Sequence, residues 1–289
     1  MTTPFDTDAA NNPVNDNSIG RLLLQLGKIS SADADRIIQT QREKGLRFGD
    51  AALKLGMITE SDIRQVLSMQ FNYPYLHSGQ GRYGVELVAA YQPFSPQVEA
   101  LRALRSQVKM RWISEGYKAL AIVSVDAGEG SSYLAANLAI VFSQLGERTL
   151  LVDANLRDPR QHKIFNLKEN RGLSDILAGR ADINVVTKVD SFVDLSILGA
   201  GTIPPNPQEL LSRDTFTKFM SLAMDQYDVV LVDATPASVI ADAQATVARC
   251  GGALLVSRLN HTRLSDVAEA RDQISVTGAR VVGAVINNF

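Results

Sequence analysis

The feature that most constrains this chain is a series of continuous apolar runs in its C-terminal two thirds. They are LAIVSV from Leu120, RTLLVD from Arg148, DLSILG from Asp194, YDVVLVD from Tyr227, GALLVS from Gly252 and RVVGAVI from Arg280. Unbroken β-branched runs suit strands buried on both faces. Helical stretches such as SYLAANLAIVFSQLG and ADAQATVARC lie between them. That alternation predicts an α/β fold, a parallel sheet with helices on both faces. Ligands of such sheets bind at the carboxyl ends of the strands, so the chemistry is sought there.

Composition sets the outer limits. The 289 residues are 45% apolar and 21% charged, enough for one large domain or two unequal ones. A net charge of -2 carries no electrostatic footprint for nucleic acid. The single cysteine, Cys250, can form neither an internal disulfide nor a thiolate metal site alone. His77, His162 and His261 lack metal-ligand spacing. The opening MTTPFDTDAANN has no basic or apolar segment of a secretory signal. No stretch approaches the roughly 18 apolar residues of a membrane span. These points lead us to expect a soluble cytoplasmic protein.

Residues 1–17 are small, polar and acidic, and are expected to form a disordered tail. An ungapped repeat follows, IGRLLLQLGKISSADADRIIQTQ from Ile19 against FGDAALKLGMITESDIRQVLSMQ from Phe48. Each copy reads as a short helix, a Gly stop, an N-cap (Ser30 or Thr59) and a second amphipathic helix. Asp33 and Asp62 fall three residues after those caps, where a carboxylate suits the positive helix end. A small all-α domain is expected over 18–76. Residues 77–95 read as a linker, and the P-loop domain spans 96–289. That domain opens on the basic amphipathic helix PQVEALRALRSQVKMRW.

The first long strand runs into SVDAGEGSSYLAANLA. A Gly-rich turn between strand and helix exposes backbone N–H groups and the positive helix end, and both favour phosphate. Gly128, Glu129, Gly130, Ser131 and Ser132 are therefore candidate nucleotide-binding residues. Ser132 stands where a P-loop places its Mg²⁺-binding hydroxyl, and Ser131 where the P-loop lysine belongs. Taken alone, GEGSS equally suits a tight turn with no ligand. Two further strands end in carboxylates, LLVDANLRDP in Asp153 and YDVVLVDATP in Asp233. An apolar strand ending in Asp is the arrangement that meets Mg²⁺. One such residue could be a loop carboxylate; two beside a Gly-rich turn favour a nucleotide site.

With these motifs in place, residues from about 91 to 289 resemble the cytoplasmic kinase domain of bacterial tyrosine kinases, the BY-kinase family. The nearest branch is the chain-length-determinant-associated kinases of exopolysaccharide synthesis. GEGSSYLAANLA resembles the family's Walker A segment, LLVDANLRDP its second Walker motif, and VVLVDATP its Walker B; PPNPQELL is also typical. The resemblance implies phosphoryl transfer from Mg·ATP to a tyrosine hydroxyl. Ser132 and Asp153 would hold Mg²⁺, and Asp233 would assist the metal or the acceptor, so Asp153 and Asp233 are the catalytic candidates. It also implies a membrane chain-length regulator (a polysaccharide co-polymerase) as partner and recruitment to the inner membrane. Glu99, Arg102 and Arg105, spaced to share one helix face, would form the family's inter-subunit face in a homo-oligomer. A solvated charged face would look the same.

Three departures bear on activity. Ser131 cannot give the β- and γ-phosphates a cation, and such a charged hydrogen bond is worth about 1.5–3 kcal/mol. Asn155 replaces the second acid of LLVDADLR. No tyrosine follows Tyr227, so the family's C-terminal tyrosine cluster has no counterpart here. A weakened kinase is the leading expectation, and a non-catalytic assembly and sensing module the alternative. A partitioning-type ATPase fits less well, because Val125, Asp126 and Ala127 lack its additional loop lysine.

The repeat resembles the N-terminal domain of type II secretion and pilus-extension ATPases. Some of those bind cyclic di-GMP through two 24-residue motifs separated by five residues. Here the copies run from Ser18 to Gln41 and from Arg47 to Gln70, with REKGL between. The resemblance implies a ligand site of Gly20, Gly27, Gln41, Arg47, Gly49 and Gly56, with one motif arginine replaced by Ser18. The alternative is that these residues simply build the helix pairs.

Overall fold

The computed structural model describes residues 19–70, 76, 83–168 and 171–289. They fall in two compact units, Met1–Pro74 and Tyr75–Phe289. The tail expected over 1–17, Ser18 and residues 77–82 of the expected linker lie outside the described residues.

The first unit contains α1 (Ile19–Gln25), α2 (Ser31–Lys44), α3 (Phe48–Lys54) and α4 (Glu60–Gln70). The sequence repeat is a structural repeat. Gly27 and Gly56 take the left-handed conformation (φ +65° and +66°) that lets each short helix stop. Ser30 and Asp33 then exchange two bonds: the Asp33 N–H donates to Ser30 Oγ (3.2 Å), and the Ser30 N–H to Asp33 Oδ2 (3.0 Å). Thr59 and Asp62 repeat this capping box at 3.2 and 2.9 Å. Lys28 lies 2.7 Å from Asp62. Its hydrogen bond is the main cause holding the Asp62 carboxyl down to about 2. Leu23, Ile37, Ala51, Ala52 and Val66 are fully buried between the copies.

The second unit begins with α5 (Val88–Tyr91), α6 (Pro96–Arg111), β1 (Ala119–Ser124), α7 (Ser131–Ser143), β2 (Thr149–Asp153), α8 (Gln161–Ile164) and α9 (Leu173–Leu177). It continues through β3 (Thr187–Lys188), β4 (Leu195–Leu198), α10 (Pro207–Leu211), α11 (Asp214–Gln226) and β5 (Val229–Asp233). The final elements are α12 (Ile240–Cys250), β6 (Gly252–Arg258), α13 (Leu264–Ser275) and β7 (Arg280–Asn287). The strand order is β3-β4-β2-β5-β1-β6-β7. The six apolar runs form the parallel strands β1, β2, β4, β5, β6 and β7. The sheet is not wholly parallel, however. Thr187 and Lys188 add an antiparallel edge strand against Ile197 and Ser196. Two mostly polar residues leave no apolar run to read.

Period-2 alternation splits the core into two layers. From the central β1, Ala119, Ala121 and Val123 meet Phe216, Phe219 and Val247. Leu120 and Ile122 meet Leu101, Leu138 and Phe142 on the other face. Each fully buried large side chain contributes about 1.5–3 kcal/mol. Cys250 is buried in the first layer, and burial pushes its thiol up to about 12.

Residues 83–95, read from sequence as part of a linker, pack into this unit instead. Leu87, Ala89 and Ala90 are fully buried. Asn137, itself buried in α7, accepts from the Ala89 N–H (2.9 Å) and donates to the Glu86 carbonyl (3.0 Å). A Gly- and polar-rich stretch here leads straight into an apolar one, and the apolar one follows the core. Among the described residues no helix is long and apolar enough to cross a membrane.

Candidate phosphate-binding site

The carboxyl ends of β1, β2 and β5 open on a cavity of about 1040 Å³. One wall is the loop between β1 and α7. Gly128 and Gly130 sit at φ +79° and +88°, so the loop can turn tightly and present backbone N–H groups. Helix α7 starts at Ser131 with no side-chain cap and no acidic residue in its first turn. Its first N–H groups and dipole therefore face the cavity unsatisfied. The five expected loop residues are thus brought together, but Glu129 has a second task. Its buried carboxylate accepts from the Asp126 N–H at 3.0 Å and from the Thr262 hydroxyl, bracing the loop from within. Its carbonyl accepts from Asn287 Nδ2 at 2.7 Å. A Cβ on Gly130 would come within 2.7 Å of that same nitrogen, but it is the φ of +88° that favours glycine there, since the Asn287 side chain can shift.

The two strand-end carboxylates come together as well. Asp153 and Asp233 are register partners on adjacent strands, both fully buried. Asp153 Oδ2 accepts from the N–H groups of Arg160 (3.0 Å) and Gln161 (2.9 Å), which fold the loop after β2 back onto the strand end. Burial, then the charge of Asp233, raises the Asp153 carboxyl well above the usual carboxylate range, against those backbone bonds. Asp233 is raised to about 6, chiefly by burial. Hydrogen bonds from Gln161 and Ser132 and the charge of Arg160 pull it the other way.

Gln161 is the residue the sequence reading missed. Fully buried, its amide nitrogen donates to Asp233 Oδ2 (2.8 Å) and to the Ser132 carbonyl (3.1 Å), tying β5 to the start of α7. A glutamine eight positions beyond Asp153 gives no motif until the loop is known to double back. Among the described residues, Gln161 Oε1, Asp233 Oδ1 and Thr235 Oγ1 are buried without a hydrogen-bond partner. Buried polar atoms are normally satisfied. Two raised carboxylates, one of them with an orphaned oxygen, suit a hard divalent cation bound through oxygen.

Around this centre, Asn155 turns its amide oxygen to the Asp158 N–H at 3.1 Å and shapes the loop. Arg157 is bound to Asp242 by bonds of 2.7 and 3.2 Å. Arg160 has an exposed side chain and lines the cavity.

The other candidate residues are arranged differently. On α6, Glu99 pairs with Arg102 of the same helix, and Arg105 donates to the Val141 carbonyl of α7 at 2.7 Å. Arg105 is thus turned into its own subunit. In the helical unit, the four glycines have structural explanations. Cβ atoms on Gly20 and Gly49 would press to 3.1 Å of Phe48 and Ile63, while Gly27 and Gly56 hold left-handed turns. Arg47 is exposed at the N-cap of α3, with no side-chain cap bond. Gln41, half-buried, lies on α2.

No protein-family model matches the chain. It is 32% identical over 198 residues to the putative tyrosine-protein kinase CapB of Staphylococcus aureus, covering 68% of this chain and 87% of that one. To the tyrosine-protein kinase YwqD of Bacillus subtilis it is 33% identical over 201 residues, 70% of this chain and 85% of the relative. The solved kinase domain of Escherichia coli tyrosine kinase ETK superposes with a TM-score of 0.68 at 28% identity, covering 75% of this chain and 86% of that domain. Each aligned stretch is far longer than the helical unit, so it draws mainly on the sheet that carries this cavity. Likeness over nearly the whole of CapB and YwqD, on a P-loop sheet with paired strand-end carboxylates, shows that the chain belongs to the bacterial tyrosine kinase family.

Proposed function

We propose that this chain binds Mg·ATP at the carboxyl ends of β1, β2 and β5 and transfers its γ-phosphoryl group, slowly, to a protein tyrosine in exopolysaccharide synthesis and export. The observation that carries the reading is the buried register pair Asp153–Asp233, with Asp233 Oδ1 unpartnered beside the open start of α7. Backbone N–H groups of residues 128–132 cradle the phosphates. The Ser132 hydroxyl and Asp153 would hold the metal, and Asp233 would assist the metal or the acceptor. Bound there, Mg²⁺ would supply neutralisation of the negative charge that develops during phosphoryl transfer. Gln161 keeps Asp233 and the start of α7 in register. Ser131 and Asn155 each remove a charge from the family pattern; a phosphate cation that no other side chain replaces costs roughly ten- to a hundredfold in rate.

In this reading the protein is cytoplasmic and is recruited to the inner membrane by a membrane chain-length regulator (a polysaccharide co-polymerase). It assembles as a homo-oligomer using the α6 face, of which Glu99 is the most exposed member. Calorimetry with Mg·ATP and Mg·ADP, followed by a phosphotyrosine assay with Asp153→Asn as control, tests the proposal. Nucleotide binding with transfer that vanishes in the variant is expected. No binding to either nucleotide would end it.

Ser131 favours one second reading, a non-catalytic assembly module. Its signature is nucleotide binding with no transfer by the wild type. Separately, exposed Arg47 supports weak cyclic di-GMP binding by the helical unit, because a guanidinium pairs bidentately with phosphate or a guanine edge.

A further inference from the structure

The cavity is short of positive charge. It lies over the buried carboxylates Asp153 and Asp233, and its loop is braced by a third, Glu129. A nucleotide tail adds several more negative charges, and Ser131 meets them with a neutral hydroxyl. Two cationic side chains line the cavity, Arg157 and Arg160. Arg157 is committed: both its bonds go to buried Asp242, at 2.7 and 3.2 Å.

Arg160 differs in every respect. Its side chain is exposed and makes no ion pair or hydrogen bond among the described residues. Its backbone is nonetheless pinned at the metal end of the site. The Arg160 N–H donates to Asp153 Oδ2 at 3.0 Å, and the next residue anchors both Asp233 and the Ser132 carbonyl through its amide. The Arg160 charge is close enough to act on Asp233. A fixed backbone and an uncommitted guanidinium beside a phosphate-shaped loop are what a phosphate-binding arginine needs.

We propose that Arg160, reaching in from the loop after β2, supplies the phosphate-binding cation that Ser131 cannot. The cation would come from a different strand end than in an ordinary P-loop, and as a planar fork instead of a point charge. The inference rests on the nucleotide-binding reading above.

A double-mutant cycle on the full chain tests it, with Mg·ADP and Mg·ATP affinities as the readout. The variants are Arg160→Ala, Ser131→Lys and the two combined, each checked by thermal unfolding. Arg160→Ala is expected to weaken Mg·ATP binding by about tenfold, equivalent to about 1.4 kcal/mol. Ser131→Lys should restore that loss in the Arg160→Ala background, yet give less than about threefold in the wild type, where the charge is already present. Equal affinities for wild type and Arg160→Ala would overturn the proposal and leave nucleotide binding intact. So would a Ser131→Lys gain of the same size in both backgrounds. If the wild type binds neither nucleotide, the underlying reading falls and this inference falls with it. The rescue variant separates a lost phosphate contact from a damaged fold.

Discussion

Asp153 and Asp233 sit opposite each other on β2 and β5, so two carboxyl groups share one buried strand end. Folding raises Asp233 from 3.8 to about 6. The folded state therefore holds this proton more tightly than the unfolded chain does. The associated stability is complete below about pH 4, falls away between about 4 and 6, and is lost above that, a change on the order of 3 kcal/mol. Asp233→Asn removes the titration. Urea unfolding of the ligand-free protein at pH 4.5 and 7.5 should show the variant gaining on the wild type as pH rises. Parallel curves would mean that the pair carries no such strain.

The same group sets a pH dependence for the ligand. A metal site needs the carboxylate, not the acid. Asp153, which would hold the metal, is raised as well, so Mg·ADP affinity should climb with pH through about 6, where Asp233 ionises, and should not fall above it. Calorimetry across pH 5 to 8 reads this directly. A flat profile would place the metal away from Asp233.

Gly172 is a packing position. Its φ of -164° suits any residue, but a Cβ there would lie 2.0 Å from the Gly199 carbonyl oxygen and 2.4 Å from the Gly201 nitrogen. Both are backbone atoms and cannot swing aside. Gly172→Ala should destabilise the second unit by roughly 3 kcal/mol or more, the upper end of overpacking costs. Denaturant unfolding measures it, and a loss under about 1 kcal/mol would contradict the packing described.

Asn137 makes three bonds from a buried position, to the Ala89 N–H and to the Glu86 and Tyr133 carbonyls. Asn137→Ala should cost about 2–3 kcal/mol, since it leaves the Ala89 N–H buried and unpaired. Hydrogen exchange should show faster exchange at Ala89 before any change in β1 or β5. Unchanged protection there would show that the 83–95 segment is held by its apolar contacts alone.

For the helical unit, the expectation is micromolar or weaker cyclic di-GMP binding that Arg47→Ala abolishes. Titration of the full chain decides it. Affinity that survives loss of Arg47 would remove the guanidinium from the site, and no binding at saturating ligand would leave the unit as a helical docking module.

Much of the sheet was legible because each long strand is buried on both faces and so writes an unbroken apolar run. The loop and its two strand-end aspartates were legible for a related reason: they are local, within a few residues of a run. What escaped depends on contacts distant in sequence. Gln161 matters because the chain doubles back onto Asp153. Helical spacing gives Arg105 a shared face with Glu99 and Arg102 but not a neighbour, and its partner Val141 lies 36 residues away. Asn137 did leave a trace, a lone amide in the apolar LAANLAIVF, which signals a buried hydrogen-bond hub. In residues 83–95, glycine and polar residues just before VELVAAY give a linker's composition and mask the apolar segment that follows, which is buried.

Cys250 lies sealed in the core with a thiol pushed up to about 12, and it is the single cysteine of the chain. Thiolate is the reactive form, so toward maleimides or alkylating agents the folded protein behaves as cysteine-free. A cysteine introduced at an exposed site such as Val193, 89% accessible, would be the one thiol a label finds. Two such sites in the second unit would report a single spectroscopic distance, with the native thiol left untouched.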